Sequence, residues 1–344
     1  MNRIAFDHAD LARRYGIVFM TGVGREATDM QLMDKSMAYD AQPQLVTAAN
    51  AGLPSLFTTY VDPAQIEVLV SPTKAAVLYG EAKKGTWVSD TAMFITFERD
   101  GSTESYGDFS QGGMASANYT FPQRQSYHFQ INTRWGEREL ARTAEARIDY
   151  ANGVNKSSAL ALLKYQNLTY LFGVAGLQNY GGTNDPALPA PIAPTQSWYG
   201  ATTGAEVYAD VLRLVQQMIA QGNGTVDAET NYRMGISPGN VTNFNKTDDF
   251  NVNVFDQIKK NFPNLEIVTV PEFAINGGGS AGGTELVQLI APNVEGQNTV
   301  ETAFTEKMRA HAMVVKTSSW EQKKSSGTWG TVIYYPAFIA AMLG

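Results

Sequence analysis

Residues 83–131, KKGTWVSDTAMFITFERDGSTESYGDFSQGGMASANYTFPQRQSYHFQI, and residues 137–172, ERELARTAEARIDYANGVNKSSALALLKYQNLTYLF, decide how this chain folds. The first stretch is polar and punctuated by Gly101, Gly107, Gly112 and Gly113, with apolar residues on either side of them. It reads as a long strand pair, with Trp87, Met93, Phe94, Ile95 and Phe97 outgoing and Tyr119, Phe121, Tyr127, Phe129 and Ile131 returning. A two-stranded ribbon has one thin apolar face and no second layer, so alone in water it is marginal. The expectation is that something outside the chain covers it.

In the second stretch the period changes. Leu140, Ala144, Ile148, Ala151, Asn155, Ala159 and Leu162 recur at helical spacing opposite Arg142, Glu145 and Lys164, which predicts one long amphipathic helix over 137–172. Gly153, after Asn152, costs about 1 kcal/mol relative to alanine and marks where a kink or break would fall.

Working outward, residues 1–50 show short helical patterns and no long apolar face, which suggests an arm laid over other surfaces. Leu53 to Val70 holds strand-like pieces, and Pro72 opens a short helix through Tyr79. Residues 173–204 carry Gly181-Gly182, Asn184-Asp185-Pro186 and further prolines, and read as the boundary to a second lobe. That lobe alternates helix (Ala205 to Gln221), strand (Tyr232 to Ile236), helix (Val252 to Phe262) and strands (Leu265 to Val270, Thr284 to Ile290), an α/β pattern. Strands over Ala310 to Ser318 and Gly330 to Tyr335 are expected to flank a polar loop from Glu321 to Thr328, bracketed by Trp320 and Trp329.

Composition narrows the function. With 344 residues and 44% hydrophobic content the chain buries a substantial core. Lys plus Arg is 26 against 33 Asp plus Glu, and a net charge of -7 argues against a protein that grips nucleic acid phosphates. The absence of cysteine removes disulfides, thiolate metal sites and cysteine nucleophiles. The first residues lack the basic-then-apolar order of a secretory signal, and no apolar run approaches a membrane span, so a soluble intracellular product is expected. Triplets such as Asn118-Tyr119-Thr120 are therefore read as chance and not as glycosylation sites.

No catalytic constellation emerges. His8, His128 and His311 are too few and too scattered for zinc, and no Gly-X-Ser-X-Gly elbow places a nucleophilic serine. Gly22-Val23-Gly24 and Gly277 to Gly283 lack the remaining residues of dinucleotide and phosphate loops, so both read as turns. Glu137/Glu139 and Asp248/Asp249 read as helix-opening charges rather than as a general acid and base. Lys323 and Lys324 in the Trp-bracketed loop are candidates for touching a partner's acidic patch. No cofactor and no metal is expected.

The run Ser319-Trp-Glu-Gln-Lys-Lys-Ser-Ser-Gly-Thr-Trp-Gly330, followed by Ile333-Tyr-Tyr-Pro336, resembles the end of a family of tailed-phage major capsid proteins. Further similarities are Gly80-Glu-Ala-Lys-Lys-Gly-Thr-Trp87, Tyr106-Gly-Asp108, Arg134-Trp-Gly-Glu-Arg-Glu-Leu140 and Gly181-Gly-Thr-Asn-Asp-Pro186. The resemblance implies an α+β chain with the Hong Kong 97-like capsid fold. Its parts would be an N-terminal arm (1–50), a peripheral domain (51–82, 131–178 with the spine helix, and 300–336), an extended loop (83–130) and an axial domain (179–299). Residues 337–344 would return to the axial domain. It also implies self-assembly into hexamers and pentamers of an icosahedral head in the virion, built in the host cytoplasm. Expected partners are a separate scaffolding protein, a portal at one vertex, optionally a decoration or cement protein, and double-stranded DNA by non-specific proximity, with no membrane. Candidate inter-subunit contacts are Trp87, Phe109, Tyr119, Phe121, Trp320, Lys323, Lys324 and Trp329. Some proteins of this fold join a loop lysine to a neighbour's asparagine; here only Arg124 is basic between Gly101 and Ile131, so no such cross-link is expected. Two alternatives stand beside this reading: an encapsulin-like compartment shell and an α/β hydrolase-like enzyme.

Overall fold

The computed structural model describes residues 72–109, 112–146, 149–198, 202–247, 251–275 and 285–343. The chain divides into two units, Met1–Val70 and Ser71–Gly344, and every described residue belongs to the second. The arm expected over 1–50, His8, Gly22 to Gly24, Asp248/Asp249 and the Gly277 to Gly283 turn lie outside the described residues.

In chain order the elements are α1 (Ala75–Tyr79), β1 (Glu81–Lys83), β2 (Thr91–Met93), β3 (Thr96–Gly101), β4 (Ala115–Thr120), β5 (Gln123–Gln125) and β6 (Tyr127–Gly136). Then come helices α2 (Glu137–Glu145), α3 (Tyr150–Phe172) and α4 (Gly204–Gln221), strand β7 (Tyr232–Ile236), helix α5 (Val254–Asn261), and strands β8 (Leu265–Thr269) and β9 (Leu286–Ile290). The chain continues through the short pair β10 (Asn293–Val294) and β11 (Gln297–Asn298), the long strands β12 (Val300–Val315) and β13 (Ser319–Ile333), and β14 (Ile339–Leu343).

Two sheets organise these elements. The first has strand order β1-β12-β13-β6, with β1 parallel to β12 and the other pairs antiparallel. Helix α3 lies across one face of it, where the Thr331 hydroxyl donates to the Tyr170 carbonyl at 2.6 Å. The second has order β14-β9-β7-β8 and mixes parallel β7/β8 with antiparallel β7/β9 and β9/β14. Its core is built from Val207, Val211, Leu214 and Met218 of α4 and Ile258 of α5 against Met234, Ile236, Leu289 and Met342. Another cluster, with Leu78, Tyr79, Tyr170, Leu171, Phe273, Ile290 and Ile339, packs α1 and the end of α3 against β9 and β14. Inside it Tyr79 donates to Gln288 Oε1 at 2.5 Å, and burial drives the Tyr79 hydroxyl far above its ordinary pKa.

Local chemistry sets the helix ends. Thr203 and Glu206 form a reciprocal capping box at the start of α4: the Thr203 hydroxyl accepts from Glu206 N–H at 3.4 Å, and Glu206 accepts from Thr203 N–H at 2.7 Å. Asn253 caps α5, accepting from Phe255 N–H at 2.9 Å. The single helix predicted over 137–172 is two, and the break falls ahead of Gly153, not at it. Glu139 opens α2 by accepting from Gly136 N–H at 3.4 Å, whereas Asp149 caps α3 by accepting from Asn152 N–H at 3.3 Å. A side chain that satisfies a helix-start donor ends the helix before it, so the cap outweighs the mid-helix glycine.

One position in β13 depends on glycine. Gly330 has φ of +74°, and a Cβ there would sit 2.3 Å from the Tyr180 carbonyl oxygen. Left-handed backbone and a backbone clash act together, so Gly330→Ala is expected to lower stability by on the order of 2–3 kcal/mol in a denaturant melt. A midpoint equal to wild type would show that β13 relaxes there freely.

Candidate inter-subunit surface

The hairpin exists, in a form shorter than the sequence suggests. Strands β3 and β4 pair from Thr96↔Thr120 to Gly101↔Ala115, and Ser102 N–H bonds Met114 O at 2.9 Å to close the ribbon. Strands β2 and β5 continue it toward its base. Tyr127, Phe129 and Ile131, expected on the return limb, belong instead to β6 in the four-stranded sheet. Tyr127 and Phe129 pack on Tyr165 of α3, with ring centroids 6.2 and 4.6 Å away, and burial is the first cause raising the Tyr165 pKa.

Among the described residues, the expectation that nothing within the chain covers the hairpin holds for its far end and fails for its base. Phe94 is buried with Ala303, Trp329 and Val332, and Ala92 and Tyr334 pack against them. Lys84 pairs with Glu301 and lies 5.4 and 5.0 Å from the Phe94 and Tyr334 ring centroids. Burial, then the Glu301 carboxylate, pushes the Tyr334 hydroxyl far above its ordinary pKa. On the return limb Arg124 donates to Asp185 at 2.6 Å, with side chains only 10% and 1% exposed, and its guanidinium lies over Tyr180 at 4.9 Å. Beyond the presence of the two residue types, nothing in the local sequence pattern points to this pair.

Beyond the base the hairpin is bare. Met93, Ile95, Tyr106, Phe109, Met114, Tyr119 and Phe121 are all exposed, Phe109 fully. Phe97 and Tyr119 lie against each other, with centroids 5.1 Å apart, and both remain exposed. A contiguous run of uncovered aromatic and aliphatic side chains of this kind marks an interaction surface.

The remaining candidates divide. Glu321 to Thr328 is not a loop between strands but the middle of β13, paired residue for residue with β6 from Ser319↔Gly136 to Thr328↔Tyr127. Polar residues fill this strand because α3 carries polar partners for one face of it. Lys324 donates to Asn155 Oδ1 at 2.8 Å and Ser158 Oγ at 2.7 Å, and burial lowers its pKa. Trp329 is fully buried, and its indole N–H donates to Lys84 O at 2.9 Å. Neither Lys324 nor Trp329 is therefore on the surface, which corrects the outward placement read from the sequence. Lys323 is exposed. Trp320 is half-buried and, with Trp135, Leu140, Ala151 and Met313, lines a hollow of about 350 Å³. Trp87 is half-buried at the hairpin base, between His128 and His311, which the fold brings together although the sequence separates them. Among the described residues no grouping of three His, Cys, Asp or Glu side chains is placed to hold a metal ion, and no helix is long and apolar enough to cross a membrane.

The structure is similar to the capsid of Myoviridae Phage XM1, with TM-score 0.71 and 11% identity over 86% of this chain and 100% of that one. It is also similar to the capsid of the native GTA particle, with TM-score 0.61 and 8% identity over 87% and 99% of the two chains. A third similar structure comes from Mycobacterium phage Adephagia, with TM-score 0.58 and 9% identity over 87% and 97%. At these identities the likeness establishes the fold, the Hong Kong 97-like capsid fold. A search of curated proteins found no match. The family model for the Pa193 gp26 major capsid protein matches residues 44–344, and the chain belongs to that family. It is a structural protein, and the match favours neither the encapsulin-like nor the hydrolase-like reading.

Proposed function

We propose that copies of this chain close into hexamers and pentamers of the icosahedral head of a tailed double-stranded DNA phage, each hairpin lying on a neighbouring copy. The observation that carries this reading is the bare apolar far end of the hairpin, with Phe109 fully exposed. Closed symmetry lets one such contact recur around a ring and across a shell. In this reading 83–130 is the extended loop, and the peripheral domain comprises 51–82, 131–178 and 300–336. The axial domain is 179–299, rejoined by 337–344, and residues 1–50 form an arm. Scaffolding protein, portal and any decoration protein are separate chains, assembly takes place in the host cytoplasm, and the genome is enclosed without specific contacts. The chain carries no catalytic role.

Among the sequence candidates, Phe109, Tyr119 and Phe121 are proposed as anchors, and Trp87, Trp320 and Lys323 as flanking contacts. Electron microscopy and light scattering of the purified protein at tens of micromolar should reveal capsomers or closed particles. A monodisperse species of 37.5 kDa under all salt and scaffold conditions would defeat the reading. Particles boiled in detergent should run as one monomer band, since the described part of the hairpin holds lysine only at its base, at Lys83 and Lys84. A ladder of covalent oligomers would contradict this.

A further inference from the structure

The turn that starts the hairpin rests on the face of the first sheet opposite α3. Adjacent residues of a strand point to opposite faces; Lys324 reaches α3, so Ser325 lies on the far face, together with His311, whose Nε2 is 2.7 Å from Ser325 Oγ. There Trp87 meets three groups from two strands. The His128 ring is 4.6 Å from it at 76°, the His311 ring 6.0 Å at 65°, and the Arg309 guanidinium 5.4 Å from the indole. The turn itself is tight, with Gly85 at φ of +70° and Ser89 N–H bonded to Thr86 O at 3.0 Å, so Trp87 is presented on a short lever.

We propose that Trp87, His128, His311 and Arg309 form an acid-sensitive latch that seats the hairpin base on the sheet. An indole has two faces of negative quadrupole and a positive edge. With both imidazoles neutral, one cation meets one ring, and Arg309 takes a favourable place. With both protonated, three cations crowd a ring that has two faces to offer. The third meets the positive edge, and all three repel one another. Among the described residues, the other charged groups around the cluster do not cancel this. Among them, Glu306 on β12 is the carboxylate paired with Arg309, at 3.7 Å. Lys307 is turned to Glu81, Lys84 to Glu301 and Arg134 to Glu321. Lys323, exposed beside Ser325 on β13, adds positive charge, and Asp90, exposed on the hairpin side, lends its carbonyl to Ser126 N–H at 2.9 Å. Seating is therefore complete with both imidazoles neutral and is lost when both are protonated.

Amide hydrogen exchange across 85–90 tests this on the full chain, free and in assembled particles. Corrected for intrinsic rates, protection should fall about tenfold between roughly pH 7.5 and pH 5, and less at high salt, which screens the repulsion. Arg309→Gln, at a half-exposed side chain, and His311→Gln should each blunt the fall while leaving protection of α3 and β13 unchanged. Protection that is flat with pH, or that falls as far in both variants as in wild type, would overturn the latch. It would leave the assembly reading untouched.

Discussion

A chain whose residues 102–114 are replaced by Asn-Gly should fold and fail to form shells. Gly101 and Ala115 are directly opposed at the end of the β3/β4 ladder, so a two-residue turn of that sequence joins them in a geometry that suits twisted hairpins. The replacement removes Tyr106, Phe109 and Met114, all nearly or fully exposed, and touches none of the buried clusters around α1, α3 or α4. Circular dichroism and thermal midpoint should therefore match wild type. Buried aromatic anchors each contribute a few kcal/mol to an interface, so losing them in every copy should raise the concentration needed for assembly by more than about a hundredfold. Particles forming at the wild-type concentration would show that the hairpin end does not hold the shell together.

Arg124→Ala is expected to be the most damaging single change at the hairpin base. It leaves the Asp185 carboxylate, 1% exposed, without its cation in the core. Removing one partner of a buried pair costs about 3–5 kcal/mol, because the other charge stays desolvated. For a unit of this size that is a fall on the order of 10 °C in thermal midpoint. The paired replacement Arg124→Met with Asp185→Leu should recover most of the loss, since neither charge then remains to be buried. A single variant as stable as wild type would mean that water enters and solvates Asp185.

These two experiments probe what the sequence disclosed unevenly. The hairpin, the helical period after Glu137 and the α/β alternation of the second lobe are local patterns, and each could be read from spacing. Strand β13 could not. Gln322 to Thr328 looks like a solvated loop because its polarity is satisfied by residues far away in the chain, Asn155 and Ser158 for Lys324 and Thr169 for Thr328. The same limit hid the Arg124–Asp185 pair and the meeting of His128 with His311 over Trp87. Where the surface is made by what a residue lacks, as at Phe109, local reading succeeded. Where a polar residue is buried by what it gains, as at Lys324, it did not.

The placement of β14 bears on the order in which the two sheets are completed. It forms the outer strand beside β9, paired from Ile339↔Ile290 to Leu343↔Leu286, and is bridged in turn by Ile192 to Met342. Until residue 343 has left the ribosome, β9 presents a row of unpaired backbone groups, and the second sheet has an open side. The hairpin, made far earlier, is already exposed by then. The second sheet is thus closed only after β12 and β13 of the first have been made, and a chain cut short before Ile339 displays an open strand edge.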